Sequence, residues 1–416
     1  MKANKKTLFI IIAVVLCIAV ALTIVLVSLG SSGGGNSSSS SSDIGGSQES
    51  YEDKKFAGID PVFEESLGYY NESPSVFESS NGDRYLYYTR NSVKYDDTTD
   101  SIAVRKGVYT ASGWQYGEAK TILTPSANSW DSKSVFGCDV IKGNFVYGGT
   151  TYSYLMAYSG SSFKGRANAQ IGLAVSQTPD GEWVKVGNKP VVTFNAGDYD
   201  PTGILSYRGA IEPSLVSFDK SGKVYMFYTF YEYLNGSYLL EMDLSNLDSL
   251  IIGGRKLVNV SGLADTGASN TQLYSGDFVL DSEGNNLIAV RNIATTVSVL
   301  PKVSEGIQLV ISSADVVNEN KQEWQPEADR KSWWQQLCSA GKIEAEDTAD
   351  ESDVNKMFGY ERIFGGSIVS DEYGHLLTYG ELDVFFTTQG VFGDSFFTTN
   401  DGYKYSQMIH SITISF

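Results

Sequence analysis

Four acidic residues stand where short apolar segments of this chain begin. They are Glu72, Asp139, Glu212 and Asp277. Carboxylates that a fold brings together repel one another, so some of their pKa values rise. A carboxyl group with a raised pKa can donate a proton near neutral pH, and an ionised partner can activate water, as in the hydrolysis of a glycosidic bond. The alternative is that each is a strand-end residue whose oxygens accept backbone N–H groups.

These residues act together only if the segments that carry them are equivalent parts of one fold. One pattern recurs five times, in copies that begin at residues 73, 137, 212, 275 and 365. Each copy has a polar entry, an apolar strand, a tight turn that contains glycine, and a second apolar or aromatic strand, which predicts antiparallel hairpins. Five such units predict an all-β fold, a five-bladed β-propeller whose inner strands line a central channel. A β-sandwich and two β domains in series are the alternatives.

The N-terminal residues have a composition of their own. Residues 8–29 carry no charge and follow three lysines, and about 20 helical residues cross the hydrocarbon core of a bilayer. We therefore predict a cytoplasmic tip and a transmembrane signal anchor over residues 1–29. The lysines stay in the cytoplasm, which places a single-pass protein in the cell membrane with its C-terminal domain outside the cell. A cleaved signal peptide and lipoprotein processing at Cys17 are the alternatives.

The rest of the chain divides into a spacer and one large domain. Residues 30–50 are rich in Gly and Ser, which predicts a flexible linker. Residues 51–416 form the propeller domain, with a partly helical insertion over about residues 324–361, where helix-forming residues replace the strand pattern. The net charge of −18 excludes the basic surface that nucleic acids require. We expect a monomer that meets the membrane through its N-terminal helix and binds a neutral carbohydrate.

The sequence contains no motif for a metal ion or a nucleotide. Its two histidines, His375 and His410, are far apart, and no HExxH, CxxC or phosphate-binding loop occurs. Cys138 and Cys338 can pair outside the cytoplasm, but two cysteines do not make a disulfide framework. We therefore predict that no metal and no cofactor is required.

Several short motifs occur in an order that resembles the five-bladed propeller glycoside hydrolases of the family 43 type, and of the related families 32, 68, 117 and 130. The motifs are SPSVF followed by YLYYT, CDVIKGNF, IEPSLV followed by GKVYMFYT, and IGLAVSQTPDGEW. The resemblance covers about residues 60–416. It implies hydrolysis of O-glycosyl bonds, and it allows a structural calcium ion at the channel centre, which nothing in the sequence requires.

Family 43 enzymes use three carboxyl residues, and the resemblance assigns two of them. Glu212 matches the general acid, and Asp139 matches the residue that tunes its pKa. The third, a base Asp directly before the proline of the first repeat, is Ser73 here, and a hydroxyl cannot accept a proton as a carboxylate does. Glu72 can replace it only if a β-bulge re-aims its side chain, because neighbours on a strand point to opposite faces. Asp60 is a second candidate.

The function predicted is a membrane-tethered extracellular glycoside hydrolase that acts on a neutral glycan, with Glu212, Asp139 and Glu72 as catalytic residues. The alternatives are a carbohydrate-binding propeller that has lost its base, and a structural or adhesive surface protein. Phosphorolysis would replace the base with inorganic phosphate and would need a basic pocket. The predicted substrate-binding residues are Tyr70, Trp130, Asp277, Arg208 and Arg291, although core packing is the alternative for either aromatic residue.

Overall fold

The computed structural model of the chain describes residues 61–63, 68–195, 208–231, 236–260, 274–281, 286–292, 306–313, 323–324, 343–344, 362–378, 381–389 and 407–415. Contacts divide the chain into two units, Met1–Asp53 and Lys54–Phe416, and every described residue belongs to the second. The predicted anchor, the linker and Asp60 lie outside the described residues. No helix among the described residues has the length and apolar composition that crossing a bilayer requires.

Most of the described residues lie in β-strands. In chain order the first twelve are β1 Asn71–Glu78, β2 Arg84–Val93, β3 Asp96–Thr110, β4 Gly113–Tyr116, β5 Lys120–Leu123, β6 Ser134–Tyr147, β7 Thr150–Ser161, β8 Gln170–Ser176, β9 Val184–Lys185, β10 Gly209–Ser217, β11 Lys223–Tyr231 and β12 Gly236–Asp243. The next twelve are β13 Ile251–Ile252, β14 Lys256–Leu257, β15 Asn259–Val260, β16 Tyr274–Leu280, β17 Asn286–Asn292, β18 Gly306–Ser313, β19 Glu323–Trp324, β20 Ile343–Glu344, β21 Arg362–Ile368, β22 Ser370–Asp371, β23 Glu381–Gln389 and β24 Met408–Ser415. The helical segment within the described ranges is a 3₁₀ turn over Lys164–Arg166.

Each predicted repeat contains an antiparallel pair followed by an outer strand. The units are β1–β2–β3, β6–β7–β8, β10–β11–β12, β16–β17–β18 and β21–β23–β24, and we number them one to five. Their strands are rich in Val, Ile, Tyr and Phe, which suit a pleated surface buried on both sides. The all-β prediction is confirmed for the described residues.

The faces of neighbouring units pack on one another around the whole set. Units one and two share a core that includes Phe77 and Met156, and units two and three share one that includes Leu173. A third core joins units three, four and five, in which the rings of Phe227 and Phe278 stack with centroids 3.9 Å apart. A fourth core joins units five and one. Each large apolar side chain buried in this way contributes about 1.5–3 kcal/mol.

The described parts of the predicted insertion are strands and not helix. Glu323–Trp324 pairs with Asn259–Val260, and Ile343–Glu344 pairs with the outer strand of unit four. The first pair is a separate two-stranded sheet, whereas the second adds to a sheet edge and satisfies open N–H and C=O groups there. The prediction of a partly helical insertion applied to about residues 324–361 as a whole, and it stays a prediction. Residues 325–342 and 345–361 lie outside the described residues.

The first strand of every unit carries the same irregularity. Its register against the second strand shifts near the strand entry, which is the signature of a β-bulge. At each bulge one residue has a positive φ; these residues are Ser73 (50°), Gly137 (43°), Glu212 (53°), Ser275 (45°) and Gly365 (60°). We call them the bulge residues. Three of the five are not glycine, although this conformation favours glycine.

Each bulge residue donates its N–H to a side chain of the neighbouring unit. The acceptors are Thr387 Oγ1 for Ser73 (3.0 Å), Thr89 Oγ1 for Gly137 (2.8 Å), Ser159 Oγ for Glu212 (2.8 Å), Thr229 Oγ1 for Ser275 (2.7 Å) and Asn292 Oδ1 for Gly365 (2.9 Å). All five acceptors lie on second strands. The bond from Ser73 to Thr387 joins the first unit to the last, and Val62 N donates to Ile409 O (2.9 Å) at the same junction.

A turn of unit five, residues 370–376, lies against the exit ends of the other four inner strands. Its carbonyl groups accept N–H groups from Lys142, Ser217 and Leu280, and Ser370 pairs with Phe77. Gly374 (φ 79°) makes the approach possible, because a Cβ there would lie 2.6 Å from Leu215 O. The sequence pattern predicted only a hairpin turn at this place. The turn in fact lies across the end of the inner strands that is opposite to the bulges.

We predict that Thr387→Val destabilises the fold by about 1–3 kcal/mol, because it leaves the partly buried N–H of Ser73 without an acceptor. The free energy of unfolding from urea denaturation measures the effect. Thr388→Val is the matched control, since the adjacent Thr388 hydroxyl is also buried but has no hydrogen-bond partner among the described residues. Equal losses in the two variants would contradict the importance of the junction.

Candidate active site

The five bulges surround one pocket at the entry end of the inner strands. Its lining consists of Ser73, Pro74, Ser75, Gly137, Cys138, Asp139, Glu212, Pro213, Ser275, Gly276, Asp277, Gly365 and Gly366. Three of the four carboxylates singled out from the sequence, Asp139, Glu212 and Asp277, are therefore in one place. Their distant positions in the chain are brought together because each lies at or just after the bulge of its own unit.

The three carboxylates do not occupy equivalent positions, which corrects the sequence alignment. Glu212 is a bulge residue, and its counterpart in unit two is Gly137. Asp139 and Asp277 stand two residues after the bulge residue of their strands, level with Ser214. The pocket thus has two layers, and Glu212 is the acidic member of the outer one. A sequence pattern does not show this offset, because a bulge inserts a residue without changing the residue types around it.

Asp139 and Asp277 in the inner layer hold neighbouring units together. Asp139 accepts hydrogen bonds from Ser75 Oγ (2.7 Å) and Leu215 N (2.6 Å) of the two adjoining units. Asp277 accepts them from Ser214 Oγ (2.9 Å) and Ile368 N (2.8 Å) in the same manner. Burial raises the pKa of Asp139 to about 6. Burial, together with the charge of Asp139, raises the pKa of Asp277 to about 7.

Glu212 in the outer layer is held in a strained conformation. Its N–H is fixed by Ser159, and its side chain lies so close to unit two that a Cβ on Gly137 would come within 3.2 Å of Glu212 Cγ. Burial raises the pKa of Glu212; a hydrogen bond with Ser275 and the positive charge of Arg208 act against it. Its Oε2 is buried without a hydrogen-bond partner among the described residues. A strained, buried carboxyl group with a raised pKa is suited to proton donation.

Glu72 lies close enough to Glu212 for its charge to raise the pKa of Glu212. The bulge that the sequence argument required is present, since the register of β1 shifts between Glu72 and Ser75. The Glu72 carboxylate has a charged partner, however. It forms an ion pair with Arg166, whose Nε also donates to Asp100 Oδ2 at 2.7 Å. The base position itself is occupied by Ser73, the bulge residue of unit one.

The predicted substrate-binding residues lie in different surroundings. Asp277 lines the pocket, and Arg208 is exposed and acts electrostatically on Glu212. Tyr70 is buried and its hydroxyl donates to Asp100. Trp130 stacks on Tyr158, with ring centroids 5.6 Å apart. These aromatic rings therefore pack within the protein and are not part of the pocket lining.

Arg291 also lies away from the pocket lining. It is fully buried in unit four, where Nη2 donates to Gln308 Oε1 at 2.6 Å. Arg166 is the basic residue near Glu212 that sequence reasoning missed. It comes from the loop after β7, which carries no repeat motif, and only its position beside Glu72 in space reveals it.

The pocket offers no ligand set for a metal ion. Within the described part of the chain, no group of three or more His, Cys, Asp and Glu residues is arranged to hold one. The oxygens of Asp139 and Asp277 accept hydrogen bonds from neighbouring units. That no cofactor is required, and that a structural calcium ion is possible, stay predictions. Cys138 is a buried free thiol whose pKa is raised by burial, and Cys338 lies outside the described residues.

Comparison with solved structures identifies the fold. The GH43_1 enzyme from Xanthomonas citri, complexed with xylotriose, shares 12% identity at a TM-score of 0.51 over 86% of this chain and 91% of that one. The catalytic domain of a GH62 α-L-arabinofuranosidase from Coprinopsis cinerea shares 9% identity at a TM-score of 0.50, over 85% and 95%. A further glycoside hydrolase shares 12% identity at 0.50, over 87% and 93%. No family model and no curated protein matches the sequence.

The resemblance read from the sequence is therefore confirmed at the level of the fold. The chain has the fold of the propeller glycoside hydrolases, although its sequence identity to these structures is low. Such a likeness establishes how the chain is folded. Its chemistry has to be argued from the residues of the pocket.

We predict that Asp277→Asn flattens the pH dependence of stability. Because the pKa values of Asp277 and Asp139 rise to about 7 and about 6 in the folded state, that state binds more protons than the unfolded chain between about pH 4 and pH 7. Stability is therefore fully present at the acidic end of this range and is lost as the pH rises. Denaturation at pH 5 and pH 8 measures the slope, with Asp248→Asn on the surface as the control. An unchanged slope would show that Asp277 does not titrate there.

Proposed function

We propose that this chain is an extracellular glycoside hydrolase with five propeller blades that cleaves a neutral glycan. The five units with their common bulge support the blade count, and residues 51–416 form the catalytic domain. The predicted anchor over residues 1–29 and the linker over residues 30–50 tether it to the cell membrane as a monomer. The flexible linker gives the domain reach towards bulky extracellular substrates.

The observation that carries the proposal is the state of Glu212. Its backbone is strained, its carboxyl group is buried with a raised pKa, and its Oε2 lacks a partner in the described structure. Each of these features lowers stability, and strain of this kind concentrates at functional sites. A leaving-group oxygen placed in the pocket would supply the missing partner and receive the proton.

Glu72 is the carboxylate that supports the second half of the reaction. Arg166 binds Glu72 Oε1, and the described residues provide no hydrogen bond to Oε2. An ionised carboxylate with one open oxygen can accept a proton from water as the water attacks the anomeric carbon. With Glu212 as the acid, this arrangement is an inverting pair, for which a separation of about 6.5–9.5 Å between the carboxyl groups is suitable.

The charge distribution favours a neutral substrate. The chain carries a net charge of −18, and the pocket contains Asp139, Glu212 and Asp277 with Glu72 close by. An anionic sugar would be repelled by this group, whereas hydroxyl groups can hydrogen-bond to carboxylates. We therefore infer that a neutral glycan, such as an arabinan, xylan, fructan or mannan, is the substrate.

We predict that Glu212→Gln lowers the rate of glycan cleavage by about 100-fold or more, because the amide cannot protonate the leaving oxygen. Reducing-end release from neutral glycan fragments, by the purified domain, measures the rate. Glu241→Gln is the matched control, as Glu241 is a half-exposed carboxylate paired with Lys256 on an outer strand. If Glu212→Gln is as active as the wild type on a glycan that the wild type cleaves, the assignment of the acid is wrong.

The second candidate function is glycan binding without cleavage, and Ser73 is the observation that favours it. Ser73 has the same bulge geometry as Glu212 but no carboxylate. Asn and Asp residues tolerate a positive φ better than most other residues, so a carboxylate can be introduced at this position by Ser73→Asp. Glycan binding by the wild type without release of product would select this alternative.

We predict that Ser73→Asp raises the rate of cleavage by about tenfold or more, because it adds a proton acceptor where the bulge faces the pocket. Ser73→Asn is the matched control, since it has the same shape without the charge. The measurement is the cleavage rate of each variant, relative to the wild type, on the neutral glycan that the wild type binds or cleaves best. A gain in both variants would mean that the shape of the side chain matters and not its basicity.

A further inference from the structure

The loop between β7 and β8 carries Arg166 into the site on a strained backbone. Gly165, Arg166 and Asn168 have φ values of 71°, 62° and 52°. A left-handed conformation costs a residue other than glycine about 1 kcal/mol or more, and such residues persist where surrounding contacts hold them. The contacts that hold Arg166 are those of its guanidinium group.

The guanidinium group of Arg166 lies between two buried carboxylates. Its Nη2 pairs with Glu72 and its Nε donates to Asp100 at 2.7 Å, while its plane covers the ring of Phe136, 4.7 Å from the centroid. The side chains of Glu72 and Asp100 are only 8% and 4% exposed, so neither charge is stable there without its partner. One cation thus compensates two anions from different strands.

The carboxylates of Glu72 and Asp100 differ in how many of their oxygens have a partner. Asp100 accepts from Tyr70 at Oδ1 and from Arg166 at Oδ2, so both of its oxygens are used. Glu72 is bound at Oε1, and its Oε2 receives no hydrogen bond from the described residues. Asp100 therefore anchors the arginine, and the arginine in turn fixes the orientation of Glu72.

We propose that Arg166 is a positioning residue, which clamps Glu72 against Asp100 and so keeps the Glu72 carboxylate oriented and open at Oε2 beside Glu212. This inference rests on the proposed function, in which Glu72 is the base. It adds that the base of this chain depends on an arginine from unit two, because the base position on the bulge of unit one holds Ser73. The Arg166–Glu72 pair acts as one unit.

The pair also leaves a measurable trace on Glu212. The charge of Glu72 raises the pKa of Glu212 and the charge of Arg166 lowers it, so their two effects on this pKa partly cancel. The other groups that face Glu212 are Arg208, which lowers its pKa, and the hydroxyls of Ser159 and Ser275. Removing one member of the pair must shift the titration of Glu212 in the direction set by the charge that remains.

The test uses Glu72→Gln, Arg166→Met and Arg166→Lys. Carboxyl ¹³C NMR of protein labelled at glutamate follows the titration of Glu212, which is assigned by the loss of its signal in Glu212→Gln. We expect a shift to lower pH in Glu72→Gln and to higher pH in Arg166→Met. Arg166→Lys keeps the charge but not the planar fork that orients Glu72. It should therefore leave the pKa of Glu212 nearly unchanged and lower kcat by about tenfold or more.

Arg84→Met is the matched control, because Arg84 is a buried arginine that also bridges two carboxylates, Glu78 and Asp383, at the opposite end of β2. It should lose stability without moving the titration of Glu212. Shifts in the same direction in Glu72→Gln and Arg166→Met, or an unchanged kcat in Arg166→Lys, would overturn the proposal. If Arg166→Met does not fold, Glu72→Gln and Arg166→Lys still decide. Absence of cleavage by the wild type, with opposite titration shifts in the variants, would reject the proposed function but keep the clamp.

Discussion

The hydrogen bond from each bulge residue to the neighbouring unit is the interaction on which both the fold and the site depend. A bulge removes one N–H from the ladder of its own sheet, and a buried N–H must find an acceptor. Here the acceptor comes from the second strand of the adjoining unit in all five cases, including the junction between Thr387 and Ser73. The bond that repairs the local defect is therefore the bond that links the units into a closed set. The same defect turns the bulge residue towards the pocket.

This coupling explains why the strain at Glu212 is tolerated. Glycine fills two of the five bulge positions and serine two others, which are small residues that suit a crowded, left-handed position. Glutamate is the exception, and Gly137 gives it room. Because the bulge is fixed from outside by Ser159, Glu212 cannot relax its backbone without breaking a link between units two and three. The strain is held by the link between these units, and the Glu212 side chain is fixed in place as a result.

The sequence allowed the repeats, the all-β class and the meeting of Glu212 with other carboxylates to be predicted, because hydrophobic alternation and repeated turns report directly on strand pairing. It did not show that Asp139 and Asp277 lie in a different layer from Glu212, since the bulge shifts register by a residue that no alternation pattern marks. It also did not show that Arg166 pairs with Glu72, because Arg166 comes from a loop outside the repeats. Of the two aromatic candidates, Tyr70 is buried and Trp130 is partly buried against Tyr158. Composition alone does not separate stacking on a sugar from packing in a core.

The balance of charge around the pocket ties these features to the kind of ligand. Asp139, Glu212 and Asp277 line it and the ion-paired Glu72 stands beside it, while the nearby cations are Arg166, which is engaged by two carboxylates, and Arg208. Burial raises the pKa values of the three lining residues, and the charge of a neighbouring carboxylate raises those of Asp277 and Glu212 further. A protonated carboxyl group donates a hydrogen bond and an ionised one accepts it, so the pocket presents both functions without a net positive charge. The hydroxyl groups and the ether oxygen of the proposed neutral sugar would need both functions, whereas an anion in the same place would be repelled.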